Sequence, residues 1–111
     1  MTKFVVLYNS TVSAGEQMAN ASPEQAQAGM EAWMAWAASA GDAIVDLGSP
    51  LQARTCVTAE GVSDARNQAS GYSVLQASST DELATLLAKH PHLGMPGCSI
   101  DVLEVLPIPG M

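Results

Sequence analysis

Two short segments of the sequence are apolar on both faces of a β-strand, and this constrains the fold more than any other feature. In KFVVLY, Phe4, Val6 and Tyr8 point to one side of the strand, and Val5 and Leu7 point to the other. The later segment YSVLQAS has the same character. Strands of this kind lie in the middle of a sheet and are covered on both sides. The fold must therefore provide cover for both faces of its sheet.

Two helices are predicted, and a serine marks the start of each. Ser22 and Gln25 predict a capping box at the start of the first helix, which ends at Gly41. Ser79 and Glu82 predict a second capping box before TDELATLLAKH, which a proline ends. Apolar side chains recur at helical spacing in the first helix, at Ala26, Met30, Trp33, Ala37 and Ala40.

The remaining segments complete an alternating pattern. DAIVDLG and SIDVLEVLP predict two further strands, and NSTVSAGEQMANAS predicts a loop. Residues 54–58 extend the second strand if a bulge occurs near Pro50, and residues Glu60 to Gly71 are a turn-rich excursion. A slip in alternation between Val102 and Leu103 indicates a bulge or a change of buried face in the last strand. The order β-α-β-β-α-β predicts an α+β, ferredoxin-like antiparallel sheet.

Such a sheet leaves one face uncovered. Two helices cover one side, and nothing predicted in the chain covers the other apolar side. A second copy of the chain solves this problem, so we expect a homodimer that packs its open sheet faces together around a two-fold axis. With 111 residues, the chain is expected to form a single domain over residues 1–111.

Composition excludes several classes of partner. A net charge of −7 repels phosphate backbones and anionic lipid, so no nucleic-acid or membrane partner is expected. No apolar run approaches the roughly 20 residues of a membrane span, and the start lacks the features of a signal peptide. We therefore expect a cytoplasmic protein with Cys56 and Cys98 as reduced thiols. No glycine-rich phosphate loop or nucleophile-elbow serine is present, and no cofactor is expected.

Three phrases carry a resemblance to a known family. GDAIVDLGSPL, GYSVLQASSTDELATLLAKHPHL and GCSIDVLEVLPIPGM resemble the YCII-related domain proteins, over most of the chain from Phe4 to Met111. The resemblance implies a dimeric α/β barrel, in agreement with the predicted topology. It implies little about activity, since most members have no assigned reaction. Some relatives are described as lyase-like enzymes acting on small aromatic substrates, and others are encoded beside regulatory factors.

The sequence departs from this family at two places. Enzyme-like members carry a histidine on the first helix, whereas Trp33, Met34 and Trp36 fill the middle of that helix here. Longer relatives carry an Asp-Gly-Pro-Phe phrase before the third strand, which AEGVSDARNQASGY lacks. The feature that matches is a polar residue before proline after the second helix, which is His90-Pro91 here.

The histidines offer the first candidate chemistry. His90 suits a general base or a group that hydrogen-bonds a ligand near the end of the first strand. The alternative is a residue at a helix C-terminus, where the dipole favours the protonated form. His92 is then an ordinary loop residue. His90, His92 and Cys98 have metal-ligand chemistry, but further ligands would have to come from distant segments, and we expect no metal site.

Tyr8 and Asp46 are the other candidates for ligand binding. Together with His90 around an apolar pocket, they suit proton transfer or the recognition of a small molecule. The alternatives are a core ring for Tyr8 and a solvated strand-edge carboxylate for Asp46. Trp33 and Trp36 can line the same pocket, although their spacing also fits ordinary core packing. The sequence thus predicts a small-molecule-binding protein or a minor lyase-like enzyme, with a non-catalytic dimeric interaction or regulatory module as the alternative.

Overall fold

The computed structural model describes residues 1–110, and it confirms an α+β chain built on a four-stranded antiparallel sheet. Met111, the last residue of the predicted domain, lies outside the described residues. The elements are β1 (Thr2–Asn9), α1 (Ala14–Asn20), α2 (Pro23–Ala40), β2 (Ile44–Pro50), β3 (Thr55–Thr58), β4 (Gly61–Asp64), β5 (Ala69–Ala77), α3 (Thr80–Leu87) and β6 (Ser99–Glu104). Single 3-10 turns follow α2 and α3, at Gly41–Ala43 and Pro91–Gly94. No helix within residues 1–110 is long and apolar enough to cross a membrane.

The two doubly apolar segments form the centre of the sheet, as predicted. The strand order is β2-β5-β1-β6, with every neighbouring pair antiparallel. Val6 of β1 lies opposite Ser73 of β5 on one side and Val102 of β6 on the other. This order is compatible with the predicted ferredoxin-like arrangement.

The helices pack on one face of the sheet and form the core there. The buried apolar side chains of this face are Phe4, Val6, Tyr8, Leu75 and Ala77 from the strands and Trp36, Leu83 and Leu87 from the helices. The indole N–H of Trp36 donates to the carbonyl oxygen of Leu86, at 3.3 Å, and so ties α2 to α3. Full burial of each large side chain stabilises the fold by about 1.5–3 kcal/mol.

The opposite face of the sheet, which we call the open face, is apolar at its centre and less buried. It is formed by Val5, Leu7, Tyr72, Val74 and Leu103, which lie in two cross-strand rows. The first four are half-buried, and Leu103 is 47% exposed. The chain is only 20 Å thick, which fits one sheet with a single layer of helices.

Helix capping follows the sequence at α2 and only in part at α3. Ser22 and Gln25 form the predicted capping box. Ser79 accepts the backbone N–H of Glu82, but the Glu82 carboxylate bonds the Ser78 hydroxyl and not the backbone of Ser79. The second box is therefore only half formed.

The apolar stripe predicted for α2 is buried only in the second half of the helix. Trp33, Ala37 and Ala40 pack against the core, whereas Ala26 and Met30 are exposed. The first half of α2 therefore leaves its apolar side chains uncovered by the core.

Two predictions about the connections were wrong. The predicted loop after β1 contains α1, a helix that Ser13 caps by accepting the backbone N–H of Glu16. Only Ala14 of this short, polar helix is buried, so the sequence has no apolar repeat that would predict the helix. Residues 54–58 do not extend β2: they contain β3, which pairs in a separate two-stranded sheet with β4, and β4 lies in the stretch predicted as an excursion.

The irregular positions of the sheet also differ from the prediction. The pairing of β6 with β1 is unbroken, so no bulge occurs at Val102 and Leu103, and Leu103 simply faces the open side. The register shifts lie instead on either side of Asp46 in β2, and between Tyr8 and Asn9 where β1 pairs with β5. Gly48 makes the shift that follows Asp46 possible, because its φ is +85° and a Cβ there would lie 1.7 Å from the carbonyl oxygen of Tyr72.

Candidate functional site

Tyr8 points from β1 into the helix-covered side of the sheet and begins a buried chain of hydrogen bonds. Its hydroxyl lies 2.8 Å from the hydroxyl of Ser73, and Ser73 donates to the carbonyl oxygen of Leu47 at 2.6 Å. Since the Ser73 proton is used on Leu47, Tyr8 is the donor to Ser73. Burial raises the pKa of Tyr8, and the hydrogen bond with Ser73 opposes this effect only in part. Tyr8 is thus a neutral phenol and not a nucleophile.

His90 lies deeper than the sequence predicted. Helix α3 ends at Leu87, and His90 is extended, with φ −68° and ψ 136°, as expected before Pro91. Its side chain is 2% exposed. The alternative of a helix-terminal, protonated His90 was therefore wrong in its geometry. Burial, together with the charge of nearby His92, lowers the pKa of His90 to about 4, so the ring is neutral at neutral pH.

Hydrogen bonding fixes the tautomer of His90. The backbone N–H of His92 donates to Nδ1 of His90, at 3.0 Å, so the ring proton lies on Nε2. Nε2 is buried, and no atom of residues 1–110 accepts a hydrogen bond from it. The ring centroids of Trp33, Trp36 and Tyr8 lie 4.4, 4.3 and 4.9 Å from the imidazole centroid. His90 is therefore enclosed by aromatic rings.

His92, which the sequence indicated only as a loop residue, is the histidine that reaches a cavity. Its Nε2 lies 2.8 Å from the carbonyl oxygen of Asn9 and donates to it, and its ring meets Tyr8 edge-on at 5.4 Å. His92 and Tyr8 line the same cavity, whereas His90 lines none of the principal cavities. No sequence signal identified His92, because its position depends on the path of the turn after Pro91.

Two adjoining cavities lie beside this cluster. The first, of about 260 Å³, lies between α2 and the ends of β2 and β5, against Trp33, Met30 and Met34. The second, of about 490 Å³, has Gln17, Gln25 and His92 among its lining residues. Both include Tyr8, Gly29, Trp33, Pro50 and Gly71 in their walls, and neither is lined by a charged Asp, Glu, Lys or Arg side chain. We call the pair the trough; both of its walls are mostly apolar, and the second cavity adds uncharged polar side chains at one end.

The structure does not bring Asp46 to Tyr8 and His90. Asp46 is exposed, and its Oδ1 accepts the backbone N–H of Gly48 at 2.9 Å. It lines neither cavity of the trough. Its observed contact supports the irregular part of β2, as an Asx-type hydrogen bond does in a turn.

The cysteines and the metal-binding groups are dispersed. Cys56 lies exposed on β3, Cys98 is half-buried before β6, and both are free thiols. Within residues 1–110, no three His, Cys, Asp or Glu side chains are grouped as a metal site requires. Of the nitrogens of His90 and His92 that make hydrogen bonds, each bonds the backbone.

A larger depression, of about 830 Å³, lies on the open side of the sheet. Leu7, Asn9 and Asp101 line it, together with the segment that follows β2. It contains neither tyrosine nor histidine. Its position makes it part of the face that the sequence predicts to be covered by a second copy, and we do not assign it to ligand binding.

Comparison with models of known protein families and with curated protein sequences found no match. The interpretation of the trough therefore depends on its own geometry and chemistry.

Proposed function

We propose that this chain is a YCII-related type of protein that binds a small, uncharged molecule in the trough. The observation that carries the proposal is the wall composition: the trough is mostly apolar, has a few polar side chains at one end, and has no charged residue in either lining. Sites for small molecules are commonly apolar cavities with a few convergent polar groups. An ion that entered the trough would meet no opposite charge to offset its loss of hydration. A neutral molecule would lose much less hydration free energy on entering.

The two ends of the trough suit different parts of one ligand. Met30 and Met34, next to Trp33, offer flexible apolar contacts to the body of the molecule. At the other end, Gln17 Nε2 already donates to Ser10 and Val12, and Gln25 Oε1 accepts from Ser22, so the groups offered to a polar substituent are Gln17 Oε1 and Gln25 Nε2. The Tyr8 ring contributes a surface at the junction, because its hydroxyl is already occupied by Ser73.

Binding without catalysis fits the surroundings of His90, the predicted general base, better than a lyase-like reaction does. A general base has to reach the proton that it removes. Nδ1 of His90 already accepts a hydrogen bond, Nε2 carries the proton, and aromatic rings surround the imidazole. These contacts favour the second candidate function, a non-catalytic interaction or regulatory module, in which bound ligand changes assembly and is not transformed.

We further propose that two copies join through their open faces to give a dimeric α/β barrel in the cytosol. Val5, Leu7, Val74 and Tyr72 are contiguous apolar residues on a face that is only half-buried in one chain. Face-to-face packing of two sheets would remove this surface from water. The two free cysteines agree with a reducing compartment.

The binding proposal is tested by filling the trough. Gly29 lines both cavities, and nothing lies within 4 Å of a Cβ added there, so Gly29→Leu can enter the trough without a clash at its Cβ. Leucine also favours a helix more than glycine does, by up to about 1 kcal/mol, so α2 should be retained. We expect the uncharged fluorophore N-phenyl-1-naphthylamine to bind the natural chain and to bind Gly29→Leu at least about ten-fold more weakly.

Ala28→Leu is the matched control. Ala28 is the exposed neighbour of Gly29 and lines neither cavity, so this variant should bind the fluorophore as the natural chain does. Equal binding by the natural chain and by Gly29→Leu would show that the fluorophore does not occupy the trough. Failure of the natural chain to bind any uncharged aromatic probe would contradict the proposal itself.

A further inference from the structure

The hairpin formed by β3 and β4, which we call the arm, lies outside the main sheet and the core of residues 1–110. Thr55 pairs with Asp64 and Thr58 with Gly61, in a two-stranded sheet separate from the main one. Every residue of both strands is exposed. An isolated two-stranded hairpin is at best marginally stable in water, so the arm requires a surface to pack against.

One side of the arm carries an exposed apolar pair, with Thr55 and Asp64 next to it on the same side. Val57 and Val62 lie directly opposite each other and are 73% and 70% exposed. Cys56 and Ser63 form the adjacent pair and point to the other side. A cross-strand pair of β-branched side chains stabilises a hairpin when the pair is buried. In the single chain, both valines are exposed.

The single chain is less compact than usual for its length. The radius of gyration is 15.5 Å, whereas a compact chain of this length has about 13 Å. The extents of 49 and 45 Å in two directions, against 20 Å in the third, describe a flat body that is wide in its plane. Neither Val57 nor Val62 belongs to the core cluster of this body.

The charges at the base of the arm indicate what it contacts. Arg54 and Arg66 flank the hairpin, are exposed, and are two of only four Lys and Arg residues in a chain of net charge −7. The open face carries carboxylates at both of its edges, Asp46 in the row of Val74 and Asp101 opposite Leu7. Two such acidic chains repel each other unless their few cations meet carboxylates of the partner.

We propose that the arm of one copy closes over the edge of the open face of a second copy. Val57 and Val62 are then buried against the partner, and Arg54 and Arg66 lie near its acidic edge. This inference rests on the proposed dimer and adds a second contact to it, outside the two packed sheets. The arm is the part of the chain that makes the association specific for another copy of itself.

The experiment measures dimer dissociation by sedimentation velocity for the full chain and its variants. Val57→Ser combined with Val62→Ser should raise the dissociation constant at least about ten-fold, while the circular dichroism and melting of the separated monomer stay unchanged. Cys56→Ala, on the other side of the arm, is the matched control and should dimerise as the natural chain does. An unchanged dissociation constant in the double valine variant would overturn the inference.

Charge reversal provides an independent measurement. Arg54→Glu combined with Arg66→Glu should weaken the dimer, and the difference from the natural chain should shrink at high salt, because salt screens exposed charges. A difference that is absent at low salt would also overturn the inference. The two proposals fail differently: a natural chain that stays monomeric refutes the dimer, whereas a natural dimer indifferent to both arm variants refutes only the arm.

Discussion

At the scale of single residues, the imidazole of His90 is expected to make the stability of the fold depend on pH. It is buried, neutral and enclosed by Trp33, Trp36 and Tyr8, so a proton that it gained would place a charge in a poorly solvated position. The contact of Tyr8 with His90 was predictable from the sequence. The alternation of side chains along β1 places Tyr8 on the same face as Phe4 and Val6, and Pro91 ends the second predicted helix near that strand. The contacts of Ser73 and His92 were not predictable, because neither residue lies in a sequence pattern that indicates its partner.

The depressed pKa of His90 predicts a loss of stability in acid. The unfolded histidine takes up a proton near pH 6.5 and the folded one only near pH 4. The unfolded state therefore binds more protons between these values, and the free energy of unfolding should fall by up to about 3 kcal/mol as pH decreases from 6.5 to 4. Above pH 6.5 this contribution is fully present and does not vary.

Urea unfolding at a series of pH values measures this effect. Carboxylates also titrate near pH 4, so the comparison is with His90→Gln, which cannot gain a proton. The variant should show a smaller decline over the same interval. Identical declines in the two proteins would mean that His90 is already protonated, or is solvated, in the folded chain.

At the scale of elements, predictability followed local signals. Ser22 with Gln25 specified the start of α2, whereas Pro91 set only the latest possible end of α3, which stops at Leu87, before the predicted end at His90. Helix α1 and the arm were missed because their residues contact little of the core. Hydrophobic periodicity appears in a sequence only where one face of an element packs against a core. The pairing of β3 with β4 is a local event that leaves no alternation between buried and exposed positions.

Strand β2 provides the prediction at this scale. Gly48→Ala should lower the free energy of unfolding by roughly 2 kcal/mol or more, because the positive φ and the backbone of Tyr72 both oppose a Cβ. Gly94→Ala is the control: its φ is not positive and nothing lies within 4 Å of its added Cβ, so its effect should be small. Equal midpoints of urea unfolding for the two variants would contradict this account of β2.

At the scale of the whole molecule, the open face predicts a dimer. Sedimentation at micromolar concentration should give twice the 11.5 kDa of one chain. Leu103→Asp is the informative variant, since Leu103 is already 47% exposed in one chain and a charge there should be tolerated by the monomer. In the proposed interface the same charge is buried without a partner, so the variant should be monomeric and folded.

Ala38→Asp, on the exposed side of α2, adds the same charge away from the open face and should remain dimeric. Val5→Asp tests the centre of the face and should disrupt assembly or folding. A natural chain that is soluble and monomeric at these concentrations would show that the apolar face needs no second sheet.

The central position of β1 has a consequence for how the chain is made. Val6 finds its neighbours at Ser73 and Val102, so one edge of β1 stays unpaired until β5 has been synthesised and the other edge until β6 has been synthesised. Contacts between distant parts of a sequence slow folding, because a long loop must close before they form. Until β6 arrives, β1 offers unpaired backbone and two apolar sides to any chaperone or neighbouring nascent chain that meets it first.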